Sequence, residues 1–263
     1  MFPLNPVSPS SNQIEIGPIS SFQQERGSPG RFARLAEFAK LRFMNSQENE
    51  AIVFHIDQQG IAVLRVNRLP ARNALNWAAQ DRFAACIAAL EEDNSVRALI
   101  ITGTGNDAFV SGGDLKEFLS SHDPESGLRL NRVMSRALRA LRQLPFPVIA
   151  AINGNAFGGG CEIITACDLR VAGEQTHFSF AQVRNGLTTG WGGTARLVQL
   201  IGLSRATELL LSGRVFAAQE AYEFGLLHRL VPQEENVLHA AQAWAAELAN
   251  LPAGTLAALK ELL

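Results

Sequence analysis

From Ile52 onward, apolar and polar positions fall into regular patterns. Ile52 to Ile56 and Ile61 to Val66 predict two strands, and Asp57-Gln58-Gln59-Gly60 between them predicts a hairpin. A helical period follows from about Asn76 to Glu91, then a buried strand from Arg97 to Thr102. A second helical stretch covers Gly127 to Gln143, and Val148 to Ile152 predicts another strand. Alternation of strands with crossover helices defines an α/β class. Beyond Trp191 the pattern is almost entirely helical, through Leu197, Leu200, Leu209 and Leu210 and again from Leu238 to Leu248. The chain thus divides into a core over 50–195 and a C-terminal helical region over 196–263. The closing Leu259-Lys260-Glu261-Leu262-Leu263 has no capping glycine or polar tail, and reads as a helix cut short.

Residues 1–49 lack this regularity. Prolines and serines dominate, and only Phe32, Leu35, Phe38, Ala39 and Leu41 fit a short amphipathic helix. The segment reads as a poorly ordered extension. Arg26, Arg31, Arg34 and Arg42 give it something of a transit-peptide composition, but Glu15, Glu25 and Glu37 count against one, and Met44 is an alternative start.

Composition narrows the function classes. A formal net charge of -2 over 263 residues supplies no global field for nucleic acid or membrane. No apolar run approaches the roughly 18 residues that span a bilayer, and no secretory signal opens the chain, so a cytoplasmic location is expected. Cys86, Cys161 and Cys167 lie within apolar patterns and read as reduced core residues. The five histidines show no metal-ligand spacing, and no Walker or dinucleotide-binding fingerprint occurs, so neither a metal nor a redox cofactor is expected.

The chemistry concentrates at Gly158-Gly159-Gly160-Cys161-Glu162. A glycine-rich turn opening a helix presents backbone N–H groups to negative charge, and Glu162 adds an acid or base within a few residues. Three further segments accompany it: Asn67 to Leu75, Phe109-Val110-Ser111-Gly112-Gly113-Asp114, and Trp191-Gly192-Gly193-Thr194. In this order and spacing the four resemble the crotonase superfamily, the enoyl-CoA hydratase/isomerase family, over residues 50–263.

The resemblance implies a spiral of ββα turns and an acyl-CoA substrate, whose CoA is part of the substrate rather than a cofactor. It implies that the backbone N–H groups of Ser111 and Gly159 grip the thioester oxygen. It implies that Glu162 handles protons, and that the segment around Ala71 meets CoA, with Arg68 and Arg72 near its phosphates and Asp114 and Leu115 beside them. It also implies a homotrimer or homohexamer.

One departure changes the chemistry. Hydratases of the family carry a second glutamate where this chain has Gln182. An amide neither takes nor gives a proton near neutral pH, whereas positioned acid–base help is commonly worth about 10²–10⁴-fold. A substrate bearing its own carboxylate would gain from the change, because a second buried glutamate would repel it by on the order of 4 kcal/mol at about 4 Å. Gln182, with Cys167-Asp168-Leu169-Arg170 and the tryptophan before Gly192, resembles the ethylmalonyl-CoA decarboxylase branch, so decarboxylation of a short alkylmalonyl-CoA is the leading expectation. Hydration with one glutamate is the alternative.

A different class of function comes from Arg129, Arg132, Arg136, Arg139 and Arg142, which share an arc of about 140° on one helix. Some crotonase-like proteins bind RNA through such a helix. A solvated face opposite Leu130, Val133, Ala137, Leu138 and Leu141 accounts for the same pattern, so a nucleic-acid partner is not expected.

Overall fold

The computed structural model describes residues 50–120 and 124–263; the helix expected over residues 32–41 lies outside them. The predicted hairpin forms: β1 (Ile52–Ile56) pairs antiparallel with β2 (Ile61–Val66), with Ile52 opposite Val66. Asp57 closes its turn by accepting the N–H groups of Gln59 and Ile61 at 2.9 Å. β2 then pairs in parallel with β3 (Ala98–Gly103), and the sheet continues through β5 (Val148–Ile152), β7 (Leu169–Gly173) and β10 (Arg229–Val231), all parallel.

Both faces of this six-stranded sheet are covered, which is why β3 and β5 are buried at every position rather than at alternate ones, and why all but Thr102 and Gly103 of them are apolar. On one face Leu64, Leu99, Ile101 and Ala150 pack with Phe83, Ile87 and Leu90 of α1 (Trp77–Leu90) and with Met134, Leu138 and Leu141 of α3 (Pro124–Gln143). On the other, Val63, Ile100, Ile149 and Val171 pack with Ala241 and Ala245 of the helix Val237–Ala249. The C-terminal helices therefore complete the core of the sheet. The start of α1 is set by Asn76, whose side chain accepts the Ala79 N–H at 3.0 Å.

A second sheet, in the order β4-β6-β8-β9, collects the short strands Ala108–Val110, Asn155–Phe157, His177–Ser179 and Phe216–Ala217. Each turn of the spiral runs through one strand of each sheet before a helix: β3 to β4, β5 to β6, and β7 to β8. This is the ββα spiral that the resemblance implied. The pattern of the chain beyond Trp191 requires a correction, because β9 and β10 interrupt the helices there. β9 closes the second sheet against β8, and β10 extends the first against β7. Strands of two and three residues are too short to show a period.

The three cysteines are free and buried. Burial pushes the thiols of Cys86 and Cys167 up to about 12, as expected of inert core residues. On α3, Arg132, Arg136, Arg139 and Arg142 are exposed while Ala137, Leu138 and Leu141 are buried, so the basic arc lies on the outward face of the helix; Arg129 pairs with Asp81 at 2.6 Å. No helix among the described residues is long and apolar enough to cross a membrane.

Candidate active site

Glu162 sits on α4 (Gly159–Ile164), a single buried turn and a half between β6 and β7. Only 2% of the residue is exposed. Its Oε2 accepts two backbone N–H groups, from Trp191 and from Gly193, both at 2.8 Å. Its Oε1 accepts Nε2 of Gln182 at 3.0 Å. Burial pushes the carboxyl above the ordinary carboxylate range; the N–H groups of Gly193 and Trp191, the Gln182 amide and the Arg196 charge act in the opposite direction and moderate the rise. A group so placed is poised to accept a proton and to give it back.

The glycines around Glu162 are explained by what surrounds them. A side chain at Gly193 would run into the Glu162 side chain, so only glycine lets that N–H reach the carboxylate. A Cβ on Gly159 would collide with the indole of Trp191, which lies against the turn. Gly112, at φ 104, brings the Ser111 turn so close that its Cβ would stand 3.0 Å from the Gly159 nitrogen. The two turns that carry the expected oxyanion donors are therefore in contact. Gly159 begins α4, so its N–H has no carbonyl one turn back. The Ser111 N–H donates to the Arg72 carbonyl at 3.3 Å, a long bond that a thioester oxygen would share or replace.

Ser111, Gly159, Glu162 and Gln182 line one cavity of about 270 Å³, together with Leu115, Phe118 and Trp191. Phe118 comes from α2 (Leu115–Leu119) and is backed by Trp77, ring centroids 4.4 Å apart. A larger groove of about 810 Å³ follows the corners between the sheets, past Asp107, Glu174 and Glu235, and contains none of the expected site residues.

The residues expected on the CoA side divide into two groups. Arg68 and Asp114 meet each other, Nη1 to Oδ2 at 3.0 Å, and Arg68 also donates to the Ala74 carbonyl. Arg68 is thereby occupied in joining its loop to the start of α2. The Ala71 carbonyl is likewise occupied, accepting the Ala74 N–H at 3.0 Å and Ser111 Oγ at 3.4 Å. Arg72 is different: its side chain is exposed and lines a second hollow of about 290 Å³ that shares Ser111 and Phe157 with the first.

Two further residues, Asn73 and Arg196, hold the site's loops together. Asn73 is fully buried at φ 56; its Oδ1 accepts the Arg68 N–H at 3.1 Å and its Nδ2 donates to the carbonyls of Thr104 and Ala108 at 3.0 and 2.7 Å. It pins the loop that carries Arg72 to the turn before Ser111. Arg196, on α5 (Gly193–Ile201), is 8% exposed and donates to the carbonyls of Glu162 and Trp191 at 3.1 and 2.9 Å and to Thr165 Oγ1 at 3.1 Å. Asn73 follows Arg72 in the left-handed region, a conformation asparagine tolerates, and an asparagine at a sharp turn is the one local clue the sequence offers to either residue. Among the described residues no cluster of three or more His, Cys, Asp or Glu could hold a metal.

Comparison with known proteins gives the family. Residues 57–263 match the sequence profile described as enoyl-CoA hydratase/isomerase. A short-chain-enoyl-CoA hydratase of Clostridium acetobutylicum is 38% identical over 181 residues, covering 68% of this chain and 69% of that protein. The mitochondrial methylglutaconyl-CoA hydratase of Mus musculus is 37% identical over 214 residues, 80% of this chain and 68% of its own. The crystal structure of an enoyl-CoA hydratase from Bacillus anthracis superposes with a TM-score of 0.77 at 33% identity, over 81% of each chain. With a profile match over most of its length and the same fold as a solved hydratase, the chain belongs to the enoyl-CoA hydratase/isomerase family.

Proposed function

We propose that this chain hydrates a short 2-enoyl-CoA with Glu162 as its one proton-handling carboxylate. The observation that carries this reading is the division of labour within Glu162: Oε2 is fixed by two N–H groups, and Oε1 is the oxygen left to work beside Gln182. In the forward reaction Oε1 takes a proton from water as the water oxygen attacks C3. The electron pair of the C2=C3 bond moves onto the thioester oxygen, where the N–H groups of Ser111 and Gly159 receive the charge. The enolate then collapses and C2 takes the proton from Glu162. Water has been added across the double bond and the carboxylate is restored.

The cavity of about 270 Å³ is below the range of roughly 300–1,000 Å³ that holds drug-sized ligands, which favours a short acyl group. Hydration takes precedence over the decarboxylation expected from Gln182 for two reasons. The amide donates to Glu162, which gives it an employment that requires no substrate carboxylate. The relatives named above are hydratases, and none is named a decarboxylase.

The test is a panel of CoA thioesters analysed by mass spectrometry. The proposal expects crotonyl-CoA to gain one water and ethylmalonyl-CoA to remain intact. Loss of carbon dioxide from ethylmalonyl-CoA with no hydration of crotonyl-CoA would restore the decarboxylase reading.

A further inference from the structure

Gln182 stands in the 3-10 turn Ala181–Asn185, which Gly186 ends at φ 68. Its Nε2 donates to Glu162 Oε1, while its own Oε1 is fully buried and has no hydrogen-bond partner among the described residues. A buried acceptor without a partner is costly, and an amide can exchange its oxygen and nitrogen by a half-turn about the last side-chain bond. The exchange is unfavourable while Glu162 is charged, because it would set two oxygens against each other.

Protonation of Glu162 reverses that preference. Oε2 already accepts two N–H groups, so the proton must reside on Oε1, facing Gln182. An Nε2 group would then meet an O–H donor, whereas the rotated amide would offer its carbonyl to accept it. We propose that Gln182 is a two-state positioning residue, donating through Nε2 to the Glu162 carboxylate and accepting through Oε1 from the Glu162 acid. One carboxylate is thereby held in place both when it takes a proton and when it returns one. A glutamate at the same position could match both states only by carrying a proton itself.

The surroundings leave Glu162 as the group that changes. Arg196 approaches from α5 as a cation, and Cys161 on α4 has its thiol driven up by burial. Neither changes charge as Glu162 titrates.

The inference rests on the hydratase reading for the use made of the returned proton, but the rotation itself can be seen without turnover. Infrared difference spectra of the full chain, recorded across the acid range with glutamine labelled at its side-chain carbonyl, report the amide directly. Subtraction of Gln182→Met assigns the Gln182 band, and Glu162→Gln identifies the carboxylic acid band. The expected result is a shift of the Gln182 carbonyl band to lower frequency with the same midpoint as Glu162 protonation. A Gln182 band that stays put while Glu162 protonates would overturn the proposal. In kinetics, Gln182→Met should lower kcat for crotonyl-CoA roughly tenfold with little change in KM, and Gln182→Glu should move the acid limb of the pH profile upward. Unchanged kcat and pH profile in both variants would also overturn it. If the band moves but wild-type chain hydrates no enoyl-CoA, the hydratase reading fails and the two-state amide stands.

Discussion

Arg196 Nη2 donates to the main-chain carbonyl of Glu162 at 3.1 Å, so the helix that follows the Trp191 loop holds the backbone of the acid-bearing helix. The same nitrogen donates to the Trp191 carbonyl at 2.9 Å, and the Trp191 N–H in turn donates to Glu162 Oε2. Backbone, loop and carboxylate are thus coupled through one buried guanidinium. Replacing it by Arg196→Met removes those donors and a positive charge that favours the ionised carboxylate. Stability should fall by about 3 kcal/mol, measured by urea unfolding, and the acid limb of the activity profile should move to higher pH.

Glu162→Gln should abolish most activity while leaving a folded chain, since its amide oxygen can keep the N–H bonds of Trp191 and Gly193. A loss of about 10²–10⁴ in kcat is expected, measured with crotonyl-CoA. The pH dependence of stability separates the two proteins. Because the folded carboxyl lies above its unfolded value, the folded state binds this proton more tightly. Its contribution favours folding at low pH and is lost as pH rises from the unfolded value through the folded one. Urea midpoints of the wild type should therefore decline relative to Glu162→Gln across that window.

Gly159→Ala places a methyl group against the Trp191 ring at the turn that carries an oxyanion donor. Overpacking of this kind costs about 1–3 kcal/mol, and displacement of one donor costs about 10²–10³ in kcat. Combining it with Trp191→Leu should recover part of the stability, since the colliding ring is gone, without recovering the activity. Melting temperatures and steady-state rates of the two single variants and the double variant test this.

The arginines of the CoA-side loop should behave differently from each other. Arg72→Ala, exposed and with no side-chain partner among the described residues, should raise KM for a CoA thioester several-fold and leave stability within about 0.5 kcal/mol. Arg68→Ala leaves Asp114 and the Ala74 carbonyl without their donor and should lower the melting temperature instead. Repeating the kinetics with a truncated thioester lacking the nucleotide tests the assignment: only the Arg72 effect should vanish.

The sequence was most legible where burial repeats. Ala98 to Ile101 and Val148 to Ile152 are unbroken apolar runs because both sheet faces are covered, and α1 declares itself by its period and by the cap at Asn76. The second sheet left no such trace, because Ala108–Val110, Asn155–Phe157 and His177–Ser179 are three residues each and gain their partners only from the spiral. At the site, Ser111, Gly159, Glu162 and Gln182 are the residues that the family resemblance implies, and the fold brings them to one cavity. Arg196 was not, because its role depends on carbonyls 5 and 34 residues away that only the fold brings together. Arg68 is a similar case: nothing local announces that Asp114, 46 residues on, pairs with it.

In the proposed mechanism one carboxylate, set against an amide rather than a second acid, is enough for hydration. The most direct measurement is the rate of crotonyl-CoA hydration by the wild-type chain and by Glu162→Gln in the same assay. Water addition by the wild type and a loss of at least about 10² in the variant are expected. Absence of hydration in the wild type, or hydration that survives Glu162→Gln undiminished, would contradict the mechanism.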